Sequence, residues 1–392
     1  MKKKTTQDAE ASRIGPYTAV AVQPNLIVIN DKKEIKKKVL PRYLDLIDHS
    51  MEWYGLYGPR VGNPPIRLFT FPEFTFQGWD YYHSPTFASP AKSKYGSQKE
   101  GLKVAVEIPG PETDIIGAKA QEYNVYLAIA SLEYDPEWPD RFFNAHCIID
   151  PKGDIVHKYR KVNTTNHGIG ISTSPYDVLD EYMERYGQGK SITETLFPVT
   201  ETEIGRIGTY TCYDGMFPEV PRMLAFNGAE LLIRAIQWYT RVFPTVGADI
   251  FRTNNRMRAA DNCCYLISTN SARTINTPEN PTKVPEAWAC GHSMIIDDYG
   301  TVLAEGSDFH EETVMGTIDI DRLRQRRSSA GFNYPAQILI DAYADGYVRY
   351  AKEGLCHRPN EPKDTVEDSI RSIERSIKRF YEKGIYVKPP KS

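Results

Sequence analysis

Short apolar runs alternate with longer stretches at helical spacing through the first third of the chain. From Glu34 to Gly55 the apolar positions recur every three or four residues, as they do along one face of an amphipathic helix. The neighbouring runs are shorter and contain many β-branched and aromatic residues, so they predict buried strands. The predicted elements are strands at Tyr17–Gln23, Arg67–Phe71 and Val125–Leu132, and helices at Glu34–Gly55 and Thr113–Asn124. Strands that alternate with helices favour a layered α/β fold.

Two distant segments have the same pattern of an apolar strand, a turn led by Asp that contains Gly, and a second strand. They are Asn144 to Tyr159 and Gly291 to Glu305, and each predicts a β-hairpin. We interpret the pair as a weak internal duplication of an α-β-β-α unit. The alternative is that two unrelated hairpins look alike.

The second half of the chain repeats the alternation and then changes character. The predicted elements are strands at Gly205–Tyr213, Ala229–Ile236, Tyr265–Thr269 and Val314–Ile320, and helices at Pro218–Phe226 and Thr253–Asn262. Beyond about Arg324 the pattern becomes one of long polar helices. The helix predicted from Val366 to Tyr381 has an apolar stripe between charged faces, so we expect this arm to cover a neighbouring subunit or an edge of its own domain.

Charge and composition exclude several classes of protein. The 392 residues contain 48 Lys and Arg against 51 Asp and Glu, a net charge of −3 that argues against a dedicated nucleic-acid binder. No run of about 18 apolar residues occurs, so we expect no membrane span. The basic N-terminus precedes no apolar segment, so it does not resemble a secretory signal. The six cysteines form no CxxC pair, and we expect reduced thiols in a cytoplasmic protein without a bound metal.

Three segments combine the end of a strand with a reactive side chain. Glu73 follows an apolar strand among aromatic residues, where burial would suit it to act as a general base. A lysine in His157–Val162, either Lys158 or Lys161, could place a cation in a cleft. Cys212 ends a strand at a sharp turn, which would expose the thiol and the backbone N–H of the following residue. Taken singly, each segment also has a purely structural interpretation. Glu73 could cap a helix or pair with Arg67, the lysine could lie at an exposed basic strand end, and Cys212 could be an inert buried thiol.

Together the three segments resemble the Glu-Lys-Cys set of the nitrilase superfamily, the carbon–nitrogen hydrolases. The family pattern has Pro-Glu after an apolar strand, Tyr-Arg-Lys after a hairpin, and a Cys-Tyr/Asp-Asp string followed by Phe-Pro-Glu, and all three occur here in order. The resemblance implies a four-layer α-β-β-α sandwich, with Glu73 as general base, Lys161 as the stabilising cation and Cys212 as nucleophile. Because the backbone N–H of Tyr213 follows the nucleophile at the sharp turn, we expect it in the oxyanion hole.

The resemblance covers roughly residues 17–325 and defines the expected domains. Residues 1–16 are a polar lead-in, residues 17–325 the carbon–nitrogen hydrolase domain, and residues 326–392 a C-terminal helical arm with oligomer contacts. The strings PEFTFQG, KYRK, CYDGMFPE and NGAELLIR are most similar to the aliphatic amidase and formamidase branch. A nitrilase usually has Trp-Glu after its cysteine, whereas Tyr213 and Asp214 stand here, which favours an amide over a nitrile.

One position departs from the amidase pattern. That branch has a second glutamate eight residues after the lysine, where this chain has Ile169. Glu184, or Glu181 one helical turn earlier, could supply the missing carboxylate, since Glu184-Arg185-Tyr186 is similar to a string of carbamoyl-amide hydrolases. Candidate aromatic walls of a substrate pocket, which could equally be core residues, are Tyr81, Tyr82, Trp238 and Tyr239.

The resemblance implies an amidase that needs no metal or organic cofactor and acts on a small-molecule amide through a cysteine thioester. The alternatives are a nitrilase or N-carbamoyl amide hydrolase with the same three residues, and a binding protein on the same fold that has lost turnover. The presence of all three residues argues against the last alternative. The family also implies a homo-oligomer, while the charge balance and the lack of a long apolar run predict no nucleic-acid or membrane partner.

Overall fold

The computed structural model describes residues 13–78, 97–164, 172–237, 248–275, 291–308 and 310–390. The strands are β1 (Tyr17–Gln23), β2 (Leu26–Ile27), β3 (Ile66–Thr70), β4 (Tyr126–Tyr134), β5 (Phe142–Ile149), β6 (Ile155–Arg160), β7 (Val199–Thr202), β8 (Gly205–Thr211), β9 (Leu231–Ala235), β10 (Tyr265–Thr269), β11 (Thr274–Ile275), β12 (Met294–Ile296), β13 (Val302–Glu305) and β14 (Glu312–Ile318). The helices are α1 (Leu40–Tyr57), α2 (Gln98–Leu102), α3 (Pro111–Tyr123), α4 (Leu179–Tyr186), α5 (Ile192–Leu196), α6 (Glu219–Phe226), α7 (Ala248–Ala260), α8 (Ile320–Arg327), α9 (Tyr334–Gln337), α10 (Ile340–Lys352) and α11 (Val366–Glu382).

Two six-stranded sheets form the centre of the fold. Their strand orders are β14-β1-β3-β4-β5-β6 and β13-β12-β10-β9-β8-β7. In each sheet three parallel strands, β1-β3-β4 or β8-β9-β10, are followed by two antiparallel strands of a hairpin. A sixth strand, β14 or β7, joins the opposite edge in antiparallel orientation. The two sheets therefore share one topology, as the internal duplication predicted, and both predicted hairpins are present.

The buried side chains separate into layers. Small and branched side chains from both sheets pack against one another in the middle, including Ala19, Ala21, Ile207, Ile233 and Ile267. On the outer face of the first sheet α1 and α3 cover a second cluster that includes Val20, Val22, Tyr43, Ile47 and Ile116. On the outer face of the second sheet α6 and α7 cover a third, which includes Leu224, Leu232, Phe251, Ala259 and Leu266. The predicted four-layer α-β-β-α sandwich is confirmed.

Burial on both faces explains why the strands could be read from the sequence. Ala19 and Ala21 of β1 face the other sheet, while Val20 and Val22 face the helices, so the strand is apolar throughout. The helix predicted from Glu34 begins differently: a π-helical turn covers Ile35–Val39 before α1 starts. Pro41 lies in the first turn of α1, where the missing proline N–H interrupts the regular hydrogen-bond ladder at low cost.

The C-terminal arm begins on the core, leaves it at α9 and α10, and contacts the domain again before α11, where His357 and Lys363 bond to Asp177. The side chains of Ile320 and Leu323 in α8 are buried among core residues of both sheets, so the expected boundary at residue 325 falls inside this helix. The next helices, α9 and α10, contain no buried residue. Among the described residues, no helix is long and apolar enough to cross a lipid bilayer.

Candidate active site

The three sequence segments with reactive side chains lie at the ends of strands. Glu73 follows β3, Lys161 follows β6 directly, and Cys212 follows β8 directly. β3 lies inside the first sheet, β6 at its edge, and β8 in the facing sheet. The site therefore lies at one end of the sandwich and takes residues from both halves of the duplicated fold.

A buried ion pair joins the first two residues. Lys161 Nζ lies 2.8 Å from Oε1 of Glu73, and the two side chains are only 3% and 2% exposed. The side-chain amide of Asn144, on β5, donates to the same oxygen at 2.7 Å. The backbone N–H of Lys161 donates to the carbonyl oxygen of Asn144 at 2.8 Å. Asn144 therefore holds both partners of the pair.

Cys212 lies in a strained turn. Its φ angle is +47°, in the left-handed region that residues with a β-carbon rarely adopt. Asp214 fixes this turn, because its carboxylate accepts from the backbone N–H of Thr211 at 3.2 Å, from Tyr159 Oη at 2.7 Å and from the backbone N–H of Asn163 at 2.7 Å. The Cys212 thiol is buried and lies 3.9 Å from the carbonyl oxygen of Gln237.

The electrostatics of the site favour a resting thiol beside an ion pair. Burial raises the pKa of Cys212 to about 12, with a further rise from Glu73, against the lowering effect of Lys161. Burial opposes the charge of Lys161, but Glu73, Cys212 and Asp214 outweigh it and hold the pKa of the lysine above its usual range. At neutral pH the Cys212 side chain is therefore a thiol, and Glu73 is the described carboxylate that adds to the rise in its pKa.

The two lysines of the basic segment have different surroundings. Lys158 is 29% exposed at its side chain and pairs with Glu133 at 2.7 Å, away from Glu73. Lys161 is buried against Glu73. Of the two lysines left open by the residues alone, Lys161 is the one that lies in the site with Glu73, as the resemblance implied.

The proposed second carboxylates lie elsewhere. Glu184 is exposed on α4, and no described contact joins it to Glu73, Lys161 or Cys212. Glu181 pairs with Arg185 at 2.6 Å on the same helix. Ile169 and the four aromatic pocket candidates, Tyr81, Tyr82, Trp238 and Tyr239, lie outside the described residues. A role for Glu184 as second carboxylate stays a prediction, as does the role of the Tyr213 backbone N–H.

Sequence reasoning missed two residues that contact the site. Asn144 is a polar residue inside the apolar strand FFNAHCII, and Arg234 is a charged residue inside the apolar strand LLIRA. Arg234 is fully buried and donates to the carbonyl oxygen of Cys212. A polar side chain in a strand that is buried on both faces was the signal that could have found them. Within the described part of the chain no three His, Cys, Asp or Glu side chains are grouped as metal ligands are.

Comparison of the amino-acid sequence with known proteins identifies relatives of this chain. A formamidase from Bacillus cereus strain Q1 is 27% identical over 260 residues, which are 66% of this chain and 63% of that protein. A formamidase from Bacillus thuringiensis strain Al Hakam is 29% identical over 218 residues, 55% of this chain and 54% of that protein. The match therefore spans less than two thirds of the length of these curated relatives.

Solved structures show the same fold at lower identity. A carbon-nitrogen hydrolase from Helicobacter pylori G27 superposes with a TM-score of 0.60 at 19% identity, covering 84% of this chain and 98% of that one. A Saccharomyces cerevisiae member of branch 10 of the nitrilase superfamily gives a TM-score of 0.57 at 20% identity, covering 82% and 97%. The sequence model of the family described as carbon-nitrogen hydrolase matches residues 20–328. With most of its length matched, this chain belongs to the carbon–nitrogen hydrolase family of the nitrilase superfamily.

Proposed function

We propose that this protein hydrolyses the carbon–nitrogen bond of a small amide through a thioester on Cys212. The observation that carries the proposal is the buried pair of Glu73 and Lys161, 2.8 Å apart, whose charges act directly on a thiol held in a strained turn. Burying an ion pair costs free energy. A buried ion pair beside a side chain with a shifted pKa is typical of a functional site.

In the first half of the proposed reaction, Glu73 takes the proton from Cys212 and the thiolate sulfur attacks the amide carbon. The electron pair of the carbonyl moves to oxygen, and Lys161 with the Tyr213 backbone N–H stabilises this oxyanion. When the tetrahedral intermediate collapses, the carbon–nitrogen bond breaks and Glu73 gives its proton to the leaving nitrogen. Ammonia or an amine departs and the acyl group stays on sulfur as a thioester.

In the second half, Glu73 acts again as a base. It takes a proton from a water molecule, whose oxygen attacks the thioester carbon. The carbon–sulfur bond then breaks, the carboxylic acid leaves, and the proton returns to the sulfur. Asn144 and Lys161 both donate to Oε1 of Glu73, so they hold one carboxylate oxygen and leave proton transfer to Oε2.

The substrate class rests on the relatives and on the residues after the nucleophile. The names of the two relatives above, formamidase, support a short acyl group. Tyr213 and Asp214 replace the Trp-Glu pair typical of nitrilases, and Asp214 is committed to hydrogen bonds that shape the turn. These observations support an amide substrate rather than a nitrile.

The test is ammonia release from a panel of short amides, N-carbamoyl compounds and nitriles, with Cys212→Ala as the control. The proposal expects turnover of amides, none with the variant, and unchanged thermal unfolding of that variant. If only nitriles or only N-carbamoyl compounds are hydrolysed, the protein is a nitrilase or an N-carbamoyl amide hydrolase that uses the same three residues. Full activity of Cys212→Ala would refute the thioester mechanism.

A further inference from the structure

Arg234 binds the main chain of the nucleophile from inside the protein. Its side chain is completely buried in the middle of β9. Its Nε and Nη2 atoms donate to the carbonyl oxygen of Cys212 at 3.1 and 2.6 Å. Two parallel donors from one planar guanidinium fix both the position and the orientation of an acceptor. The carbonyl held in this way belongs to the residue whose φ angle is +47°.

The remaining partners of Arg234 are neutral. Its Nη1 donates to the side-chain oxygens of Asn254 and Asn255 on α7, at 2.9 and 2.6 Å. Among the residues that the structure describes, no carboxylate forms an ion pair with it. Two other arginines that are buried in the described part of the chain do form such pairs: Arg160 with Glu133 at 2.7 Å, and Arg326 with Asp298 at 3.0 Å. Buried charges are normally paired in this way.

The amide group of Asn255 is not required by hydrogen bonding in the described part of the chain. Its Oδ1 accepts from Arg234, while its Nδ2 is buried with no described partner. An aspartate has the same shape and would keep the acceptor, lose no described hydrogen bond, and neutralise the arginine. The chain has asparagine at this position, so no carboxylate of the described residues pairs with the positive charge beside the nucleophile.

A glycine makes room for the guanidinium. A β-carbon on Gly215 would lie 2.3 Å from Cζ of Arg234, far closer than a real contact. Gly215 is three residues after the nucleophile in the same turn. The turn, the strand and the helix behind it therefore all accommodate the Arg234 guanidinium.

The described charges near the thiol come from several elements. Glu73 after β3 and Lys161 after β6 act on it directly. Asp214 in its own turn is held by Tyr159 and Asn163. On helix α7, Arg258 donates to the Gly215 carbonyl oxygen of the same turn at 3.1 Å and pairs with Asp261 at 3.6 Å.

We propose that Arg234 is a positioning residue for the nucleophile: it fixes the Cys212 carbonyl in the strained turn and supplies, with Lys161, a second positive charge that favours the thiolate. Arg234 lowers the pKa of Cys212 in opposition to burial and Glu73. A guanidinium suits this role because it stays protonated in proteins. Only the effect on turnover depends on the proposed function, since the effect on the thiol exists without substrate.

The charge is tested by alkylation of Cys212 with iodoacetamide between about pH 6 and pH 9, read by mass on the Cys212 peptide. The central variant is Asn255→Asp, which neutralises Arg234 without removing it. Because an opposing charge moves a pKa by about one unit or more, we expect alkylation about tenfold slower at each pH. Arg234→Met should slow it at least as much, and Arg234→Lys, which keeps the charge, should react within about threefold of the parent.

The matched control is Arg326→Met, which removes another buried arginine; Arg326 pairs with Asp298, which keeps Arg322 as a second partner, and has no described contact with the Cys212 turn. It should leave the alkylation profile unchanged while lowering thermal stability. If Asn255→Asp and Arg234→Met both alkylate as fast as the parent, the charge effect is refuted. If Arg234→Met does not fold, Asn255→Asp alone decides the matter.

Turnover separates this inference from the proposed function. If the alkylation shifts appear but Cys212→Ala still hydrolyses amides, the proposed function fails and the effect of Arg234 on the thiol stands. If amide hydrolysis needs Cys212 but Arg234→Lys keeps full kcat and stability, the fork of hydrogen bonds to the Cys212 carbonyl is not needed and the positioning role is refuted.

Discussion

Asn144 donates a hydrogen bond of 2.7 Å to Oε1 of Glu73, and both side chains are buried. A carboxylate that shares one oxygen with two donors keeps the other for proton transfer. This relationship makes Asn144 the residue on which the orientation of the proposed base depends.

Asn144→Ala should therefore lower kcat/KM by about 10- to 100-fold, because a hydrogen bond to a charged group is worth about 1.5–3 kcal/mol. Asn144→Asp should also move the acid limb of the pH–rate profile upward, since a second carboxylate beside Glu73 disfavours its charged form. The control is Asn227→Ala, which loses a side-chain hydrogen bond of similar length, 2.8 Å to the Phe197 carbonyl oxygen, and has no described contact with Glu73, Lys161 or Cys212. An unchanged acid limb in Asn144→Asp would contradict this role.

Lys161→Met should lose far more activity than Lys158→Met. Lys161 contacts Glu73, whereas Lys158 pairs with Glu133 on the other side of the strand. Losing an oxyanion donor costs about 10²- to 10³-fold in kcat. The measurements are kcat for amide hydrolysis and the rate of alkylation of Cys212. If Lys158→Met lowers kcat and the alkylation rate more than Lys161→Met does, the assignment of the oxyanion cation to Lys161 is wrong.

Stability should fall in acid because two histidines are buried in the sandwich. Burial lowers the pKa of His157 to about 4 and that of His146 to about 3, from an ordinary value of 6.5. The unfolded chain binds these protons first as the pH falls, so the stabilising effect is complete above about pH 6.5 and is lost progressively below it. For His157 alone the loss approaches about 3 kcal/mol by pH 4.

The measurement is the free energy of unfolding by urea at several pH values. His157→Gln, which can still bond to Thr200 and Thr209 but cannot be protonated there, should flatten the dependence on pH. His49→Gln, at an exposed position on α1, should leave it unchanged. If the slope of the unfolding free energy against pH is the same in the parent protein, His157→Gln and His49→Gln, the assignment of this pH dependence to His157 is contradicted.

The arm should hold subunits together. On α10 the exposed apolar side chains include Ile340, Tyr343 and Val348, which have no cover within the described chain. We expect the full-length protein to be a homo-oligomer and the double variant Tyr343→Ser, Val348→Ser to have a smaller mass by light scattering. A truncated protein that lacks the arm should end after Asn333 rather than after Arg324. Helix α8 packs on the core, and the Asn333 side chain donates to the backbone carbonyl oxygen of Arg327. A monomeric parent protein would contradict the prediction.

The strands could be predicted because their patterns are local, and the same patterns placed Glu73, Lys161 and Cys212 near the ends of strands. A strand buried on both faces is apolar without interruption, and β10 was predicted at Tyr265–Thr269, its observed bounds. Asn144 and Arg234 could not be assigned to the site in this way, because their roles depend on contacts over 71 and 22 residues of chain. The sequence also could not show that Glu184 is exposed on α4, because a similarity of short strings carries no information on burial.

The central claim is that an acyl group is carried on the sulfur of Cys212. The most direct test is the intact mass of the protein, quenched in acid during turnover of a short amide, followed by mapping of the modified peptide. The account predicts an added acyl group on Cys212 that is absent without substrate and absent from Cys212→Ala. Steady hydrolysis of the amide by Cys212→Ala, with no adduct on the parent protein, would contradict it.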